Sequence, residues 1–301
     1  MRNGTAPCGL RYAVRRGGSA VGYCALSIRC GTRDEGGFPN GIAHFTEHTM
    51  FRGTTRKSAA VIAGYLDRLG GELNAYTTKE EIVLHATVLK EDLGKAARLL
   101  FELATEATFP DAEIETERGV VLDEIISYKD NPAEDVYDRF EGMLFEGHPL
   151  GLPILGTAAS VKRIRPEDLR RFLKTFFVPE RMAFTVVADL DEKLLEKRVL
   201  GLVAKLFGDG IPSPAPPVRN DMESLVPSEG IPVIPSESKE SPWVAPFDKT
   251  VDKRNHEVNA VIGNRAPSLY DQEDRITAAV LCNILGGPAS NSLLKKELRE
   301  K

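Results

Sequence analysis

Two imidazoles and a carboxylate stand close together in the stretch GIAHFTEHTMFRGT, residues 41–54: His44, Glu47 and His48. On a helix His44 and His48 lie one turn apart on one face, where two imidazoles can bind one cation. Glu47 adjoins His48 on that turn, within reach of a metal-bound water without being a ligand. The order H-x-x-E-H inverts the commoner H-E-x-x-H zinc helix. Zinc suits two imidazoles, and a catalytic zinc needs a third protein ligand plus an open position for water. With five histidines and 44 acidic residues in 301, such a pattern arises by chance only about 0.01 times. The residue types and spacing therefore point to metal-assisted hydrolysis.

The elements that must carry this motif are legible on either side of it. YCALSIRCGTR alternates in character and reads as a strand, stopped by the acidic, glycine-rich turn DEGGFPNG. Asn40 or Gly41 then opens the motif helix. SAAVIAGYLDRLGG has helical apolar spacing, a Ser58 cap and a Gly-Gly stop. ELNAYTTKEEIVLHATVL reads as two strands around a polar turn, and EDLGKAARLLFELATEATF and DAEIETERGVVLDEIISYKD as amphipathic helices. After the loop FEGHPLGLPILGT come a helix with Pro166 in its first turn, a buried strand RMAFTVVADL, and the helix DEKLLEKRVLGLVAKLFG.

Nine of the 19 prolines fall within residues 212–246. Such a segment cannot fill a helix or an inner strand and reads as an extended linker. Beyond it, HEVNAVIGNRA predicts a strand and RITAAVLCNILGG a helix, a weak echo of the first domain. Three parts follow: residues 1–211 as a catalytic domain, 212–250 as linker, and 251–301 as the incomplete beginning of a second, similar domain. A domain of that last size would struggle to bury a core, so the expectation is a chain cut within its second domain. A net charge of −5 with mixed signs gives no footprint for nucleic acid or an anionic membrane. No apolar run approaches the roughly 18 residues of a membrane span, and the N-terminal stretch lacks the apolar core of a signal peptide. Four scattered cysteines (Cys8, Cys24, Cys30, Cys282) read as buried thiols, and the expected location is the cytoplasm.

The motif and its surroundings resemble the pitrilysin / insulinase / mitochondrial processing peptidase family of inverted-motif zinc peptidases. GIAHFTEHTMFRGT is similar to the family signature, LDRLGGELNAYTTKEEIVLHATV to the segment after it, and ETERGVVLDEI to the distal ligand helix. HPLGLPILGT, PEDLRRFLKTFFVPERMAFTVVADLD and LCNILGGPASNSLLKKELREK resemble later family segments, so the likeness spans nearly all but the linker. It implies an α+β fold, helices packed on a mostly antiparallel sheet. It also implies a single Zn2+ on His44, His48 and Glu124, with Glu47 as general base. Asp123 is a close rival for the third ligand. On a helix Val120, Val121 and Glu124 share one face while Asp123 points about 100° away, and the family match favours Glu124. Glu117, two turns before Glu124, matches a second acidic position that supports catalysis.

The resemblance further implies that an extended peptide pairs with the ELNAYTT strand, with Asn74 and Ala75 near the scissile bond. The implied activity is zinc-dependent cleavage of extended or unfolded peptides. The alternative is a non-catalytic scaffold, or a subunit that works only with a partner; a homodimer or a paired subunit fits the family. Without the rest of its second half, the chain is expected to bind zinc but cleave poorly. Thr46 and Arg52 depart from the family pattern and are expected to leave the metal chemistry untouched. His85 and His148 read as structural or solvent-facing, and His256 has no partner in sequence.

Overall fold

The computed structural model describes residues 1–208, 247–252, 258–263, 266–267, 271–287 and 292–299. Its centre is a six-stranded sheet ordered β1-β2-β6-β3-β5-β4. The strands are β1 (Arg2–Thr5), β2 (Arg11–Arg16), β3 (Val21–Ile28), β4 (Glu72–Thr77), β5 (Ile82–Leu89) and β6 (Met182–Ala188). Every neighbouring pair is antiparallel except β2 with β6, which is parallel. The fold is therefore α+β with a mixed, mostly antiparallel sheet, as the resemblance implied. β1 and β2 are additions to the sequence reading. The segment MRNGTAPCGLRYAVRR is too polar to show the alternation that betrays β3.

Strand alternation decides which face is covered. Cys24, Leu26 and Ile28 of β3 and Met182, Phe184, Val186 and Ala188 of β6 are buried, while Tyr23 and Thr185 between them are exposed. RMAFTVVADL is thus buried on one face only. Over the buried face lie α3 (Leu93–Glu106) and α8 (Glu192–Phe207), presenting Leu99, Leu100, Phe101 and Leu103, and Leu195, Val199 and Val203. The Phe101 and Phe184 rings meet at 5.0 Å. Emptying such a site by Phe→Ala costs about 3–5 kcal/mol. The sheet's outer edge at the site end is β4, whose far side has no strand beside it among the described residues.

The motif helix α1 (Ile42–Met50) packs against α4 (Asp111–Asp130), α7 (Pro166–Phe176) and β4. Between them run α2 (Ala59–Ala63), α5 (Pro132–Leu144) and the single turn α6 (Ala158–Val161). The sequence reading left α5 unassigned. It starts where Asn131 closes α4 and accepts the Ala133 N–H at 3.1 Å, with Pro132 preset for the first turn. Along α4 the buried positions are Ile114, Glu117, Val121 and Ile125, a helical stripe with one carboxylate in it. Val120 is exposed, not on the covered face shared by Val121 as expected, and Asp123 is exposed as well.

Packing divides the chain into Met1–Val258 and Asn259–Lys301. In the second unit α9 (Gln272–Gly286) forms where a helix was expected, and α10 (Leu293–Arg299) follows it. The strand expected over HEVNAVIGNRA does not appear at residues 258–263, where Val258 and Ile262 are almost fully exposed; His256, Glu257, Asn264 and Arg265 lie outside the described residues. So does the proline-rich stretch 212–246. Cys8, Cys24 and Cys30 are buried thiols, but Cys282 on α9 is exposed, against expectation. No helix among the described residues is long and apolar enough to cross a membrane.

Candidate metal centre

The position of α1 is fixed before any side chain of the site is considered. Its flanking residue Gly41 has φ +90°, which disfavours any side chain. A Cβ there would lie 2.7 Å from the Leu155 carbonyl oxygen and 3.0 Å from Gly156 Cα. The HPLGLPILGT loop therefore docks backbone to backbone on the start of the motif helix. Ile42, Ala43, Phe45, Thr46, Thr49 and Met50 are buried, so α1 is covered nearly all round.

On this helix the two imidazoles converge, their ring centres 4.5 Å apart. From α4 Glu124 Oε2 reaches 3.7 Å from His44 Nε2 and 3.5 Å from His48 Nε2. One donor atom from each of the three residues lies within 4.8 Å of the others. Glu124 Oε2 is buried and takes no hydrogen bond. Burial, and secondarily the neighbouring His48, push His44 down to about 3, so its ring is neutral and its approach to Glu124 is not an ion pair. Two imidazole nitrogens and an unsatisfied carboxylate oxygen turned toward a shared point suit a cation. Tetrahedral zinc, with bonds of about 2.0–2.1 Å, sets its donors roughly 3.4 Å apart, close to the two spacings observed. The residues present fit the metal. Asp123, one step along α4, is not in this group.

Glu47 lies outside this group as well. Its Oε2 accepts the Thr77 hydroxyl at 3.1 Å, which ties the motif helix to β4. Burial holds the Glu47 carboxyl above the usual carboxylate range and Glu124 adds to this, while His48 and the Thr77 hydrogen bond pull it back. Glu117, buried in the α4 stripe, places Oε2 3.0 Å from His48 Nδ1. It meets the His48 ring at the nitrogen away from Glu124. The Arg52 guanidinium pairs with this carboxylate. Arg52 thus adjoins, through Glu117, the residues around His48. Thr46 is wholly buried and its hydroxyl finds no partner. Thr77 and Arg52 were not foreseen as part of the site; each lies within a quoted motif segment, but nothing in their spacing announces the contact.

Asn74 and Ala75 sit on β4 beside this cluster. The Thr78 N–H donates to the Glu81 carbonyl at 2.8 Å, which sets the phase of the β4–β5 ladder. With Asn74 opposite His85 and Ala75 opposite Leu84, the backbone groups of Leu73, Ala75 and Thr77 face away from β5. Consistently, the Ala75 N–H is met by Asn74's own side-chain oxygen at 2.9 Å. An open strand edge thus runs up to the residue that holds Glu47. His85 lies near the Tyr76 ring at 6.2 Å, and His148 Nδ1 accepts the Leu150 N–H at 3.1 Å. Neither histidine joins the metal group.

Comparisons with known proteins agree with this geometry. Residues 13–158 match the family "Insulinase (Peptidase family M16)", and residues 163–301 match "Peptidase M16 inactive domain". An uncharacterized zinc protease of Mycobacterium leprae is 33% identical over 306 residues, covering 98% of this chain and 62% of that protein. A probable mitochondrial-processing peptidase subunit beta of Arabidopsis thaliana is 34% identical over 206 residues, 68% of this chain and 39% of its own length. The periplasmic protease PqqL of Escherichia coli superposes with a TM-score of 0.64 at 26% identity, over 72% of this chain and 25% of that one. A peptidase M16 inactive domain of Pseudomonas fluorescens shares the fold at 18% identity, with a TM-score of 0.74 over 100% of this chain and 68% of its own. The chain spans 62% of the length of its Streptomyces coelicolor and Mycobacterium leprae relatives. With both matched domains assigned to one family and a candidate metal-ligand group joining its motif helix to α4, this chain belongs to the insulinase (M16) family of zinc proteases.

Proposed function

We propose that this chain carries the catalytic centre of a zinc endopeptidase acting on extended peptides or unfolded segments. The observation that carries the reading is Glu124 Oε2, buried, without a hydrogen bond, and facing both histidine Nε2 atoms. His44, His48 and Glu124 would hold the metal, and zinc bound there would bring the pKa of a water toward ~7 and polarise the scissile carbonyl. Glu47 is the general base: it takes a proton from the attacking water and delivers it to the leaving amine. A carboxyl held above its usual range performs both transfers better at neutral pH than an ordinary one. Thr77 fixes the carboxylate that must make them.

The peptide would join the sheet at β4, with Leu73, Ala75 and Thr77 supplying backbone hydrogen bonds and Asn74 and Ala75 near the scissile bond. An edge strand reads extended main chain, which favours unfolded substrates over folded ones. A scaffold role is disfavoured because a scaffold has no use for the complete ligand set with its base. A partner-dependent enzyme, as a homodimer or with a second subunit, remains compatible with this geometry, and titrating candidate partners into the cleavage assay separates it from a self-sufficient one. The test of the chemistry is Glu47→Gln in the zinc-loaded chain. Zinc content stays at the parent level, and peptide cleavage falls by at least ~100-fold. Undiminished cleavage by Glu47→Gln would remove Glu47 from the mechanism.

A further inference from the structure

The two histidines are not held alike. His48 Nδ1 faces Glu117, whereas His44 Nδ1 is buried with no hydrogen-bond partner. Ligating histidines almost always have their second nitrogen oriented by an acceptor. Since nothing of that kind holds His44, its ring direction rests on the packing around it and on the backbone that carries it. That backbone is the first turn of a helix of nine residues, too short to be stable alone. Its N-cap is Gly41, which has no side chain with which to satisfy the free N–H groups of the first turn.

Glu35 meets those groups from outside the helix. Its Oε2 accepts the Gly41 N–H at 2.9 Å and Asn40 Nδ2 at 2.8 Å, and its Oε1 accepts the Ala43 N–H at 2.9 Å. The Ile42 N–H is taken by the Pro39 carbonyl at 3.2 Å. Asn40 Nδ2 also reaches the Pro153 carbonyl at 3.3 Å, joining this cap to the loop docked on Gly41. Glu35 is only 4% exposed, and an anion at a helix N-terminus is favoured by the helix dipole. We propose that Glu35 is a positioning residue for the metal centre: its carboxylate replaces the cap that Gly41 lacks and, through the Ala43 N–H, sets the direction of the His44 imidazole.

The inference rests on the zinc-site reading above, and the experiment separates the two. Burial pushes the Glu35 carboxyl up to about 7 against the pull of its donors, so measurements belong at pH 8, where it is ionised. Zinc affinity is read by chelator competition, the ligand field by the visible spectrum of the Co(II) form, and the first turn by deuterium uptake. Glu35→Ala is expected to bind zinc about 10-fold or more weakly, with an altered Co(II) spectrum. Uptake should rise at residues 42–44 and stay unchanged in β3. Glu35→Gln keeps the shape and one acceptor, so it should show a smaller loss with the same spectral change. Parent affinity and an unchanged Co(II) spectrum in both variants would overturn the proposal. A Glu35→Gln chain that fails to fold would also overturn it, because the residue would then serve the whole domain. If the unsubstituted chain takes up no zinc, the site reading itself fails, and unchanged uptake at residues 42–44 in Glu35→Ala would then reject the cap independently.

Discussion

Replacing Glu117 by glutamine isolates the contribution of a residue that touches the metal centre only through a ligand. The Glu117 side chain is 2% exposed and lies 3.0 Å from His48 Nδ1. An amide of the same shape can still accept from Nδ1–H with its oxygen, but its NH2 end is then turned toward the Arg52 guanidinium, donor against donor. The carboxylate's charge facing the imidazole is lost outright. Loss of a partner that holds a ligating histidine weakens metal affinity about 10–100-fold, or roughly 1.4–2.7 kcal/mol. The opposed NH2 and guanidinium argue for the upper half of that range. Overall stability should fall less, by about 1–2 kcal/mol, because Arg52 is 38% exposed and water can solvate its freed charge. Competition with a chromophoric chelator at fixed pH measures the zinc affinity, with Asp123→Asn, exposed and one residue from the ligand, as the unaffected control. Zinc affinity in Glu117→Gln within about twofold of the parent would refute the claim that this carboxylate orients His48.

Three further outcomes follow from particular contacts. Gly41→Ala combines a strained left-handed backbone with a 2.7 Å approach to the Leu155 oxygen, so the denaturation midpoint should drop by the equivalent of about 2–4 kcal/mol; an unchanged midpoint would contradict the backbone docking. N-methylation of the peptide residue opposite Ala75 should reduce kcat/KM about 10-fold, the value of one hydrogen bond at a strand edge, and equal turnover of both peptides would argue against strand addition. Native alkylation at pH 8 should modify Cys282 alone, because Cys8, Cys24 and Cys30 are buried and burial pushes the Cys24 thiol up to about 12; mass spectrometry counts the labels, and rapid labelling of Cys24 would show that the core opens.

The parts of the site that lie in one helix were readable from sequence because helical spacing alone brings them together. His44, Glu47 and His48 needed no tertiary information, and the strands β3, β4 and β5 showed their periods plainly. Contacts between elements were not readable in the same way. Helix phase said only that Glu124 and Asp123 cannot serve equally and the family likeness favoured Glu124, but that it meets the histidines is a matter of how α4 crosses α1. The Arg52 pairing was not foreseen: Glu117 is 65 positions away in the chain, and nothing local marks a buried carboxylate in a mostly polar helix. Glu35 stayed hidden for the same reason, in a turn whose glycines and acids read only as a loop. β2 escaped because its arginines mask the pattern, and its parallel pairing with β6 depends on sheet order that no periodicity encodes.

The central claim is that His44, His48 and Glu124 form a zinc site that Glu47 serves without ligating. Zinc stoichiometry by elemental analysis, on chain dialysed against trace free zinc, tests it most directly across a short series of variants. The account predicts a single zinc per chain in the parent, retention in Glu47→Gln and Asp123→Asn, and loss in His48→Ala and Glu124→Ala. Loss of zinc in Glu47→Gln, or its full retention in Glu124→Ala, would contradict it.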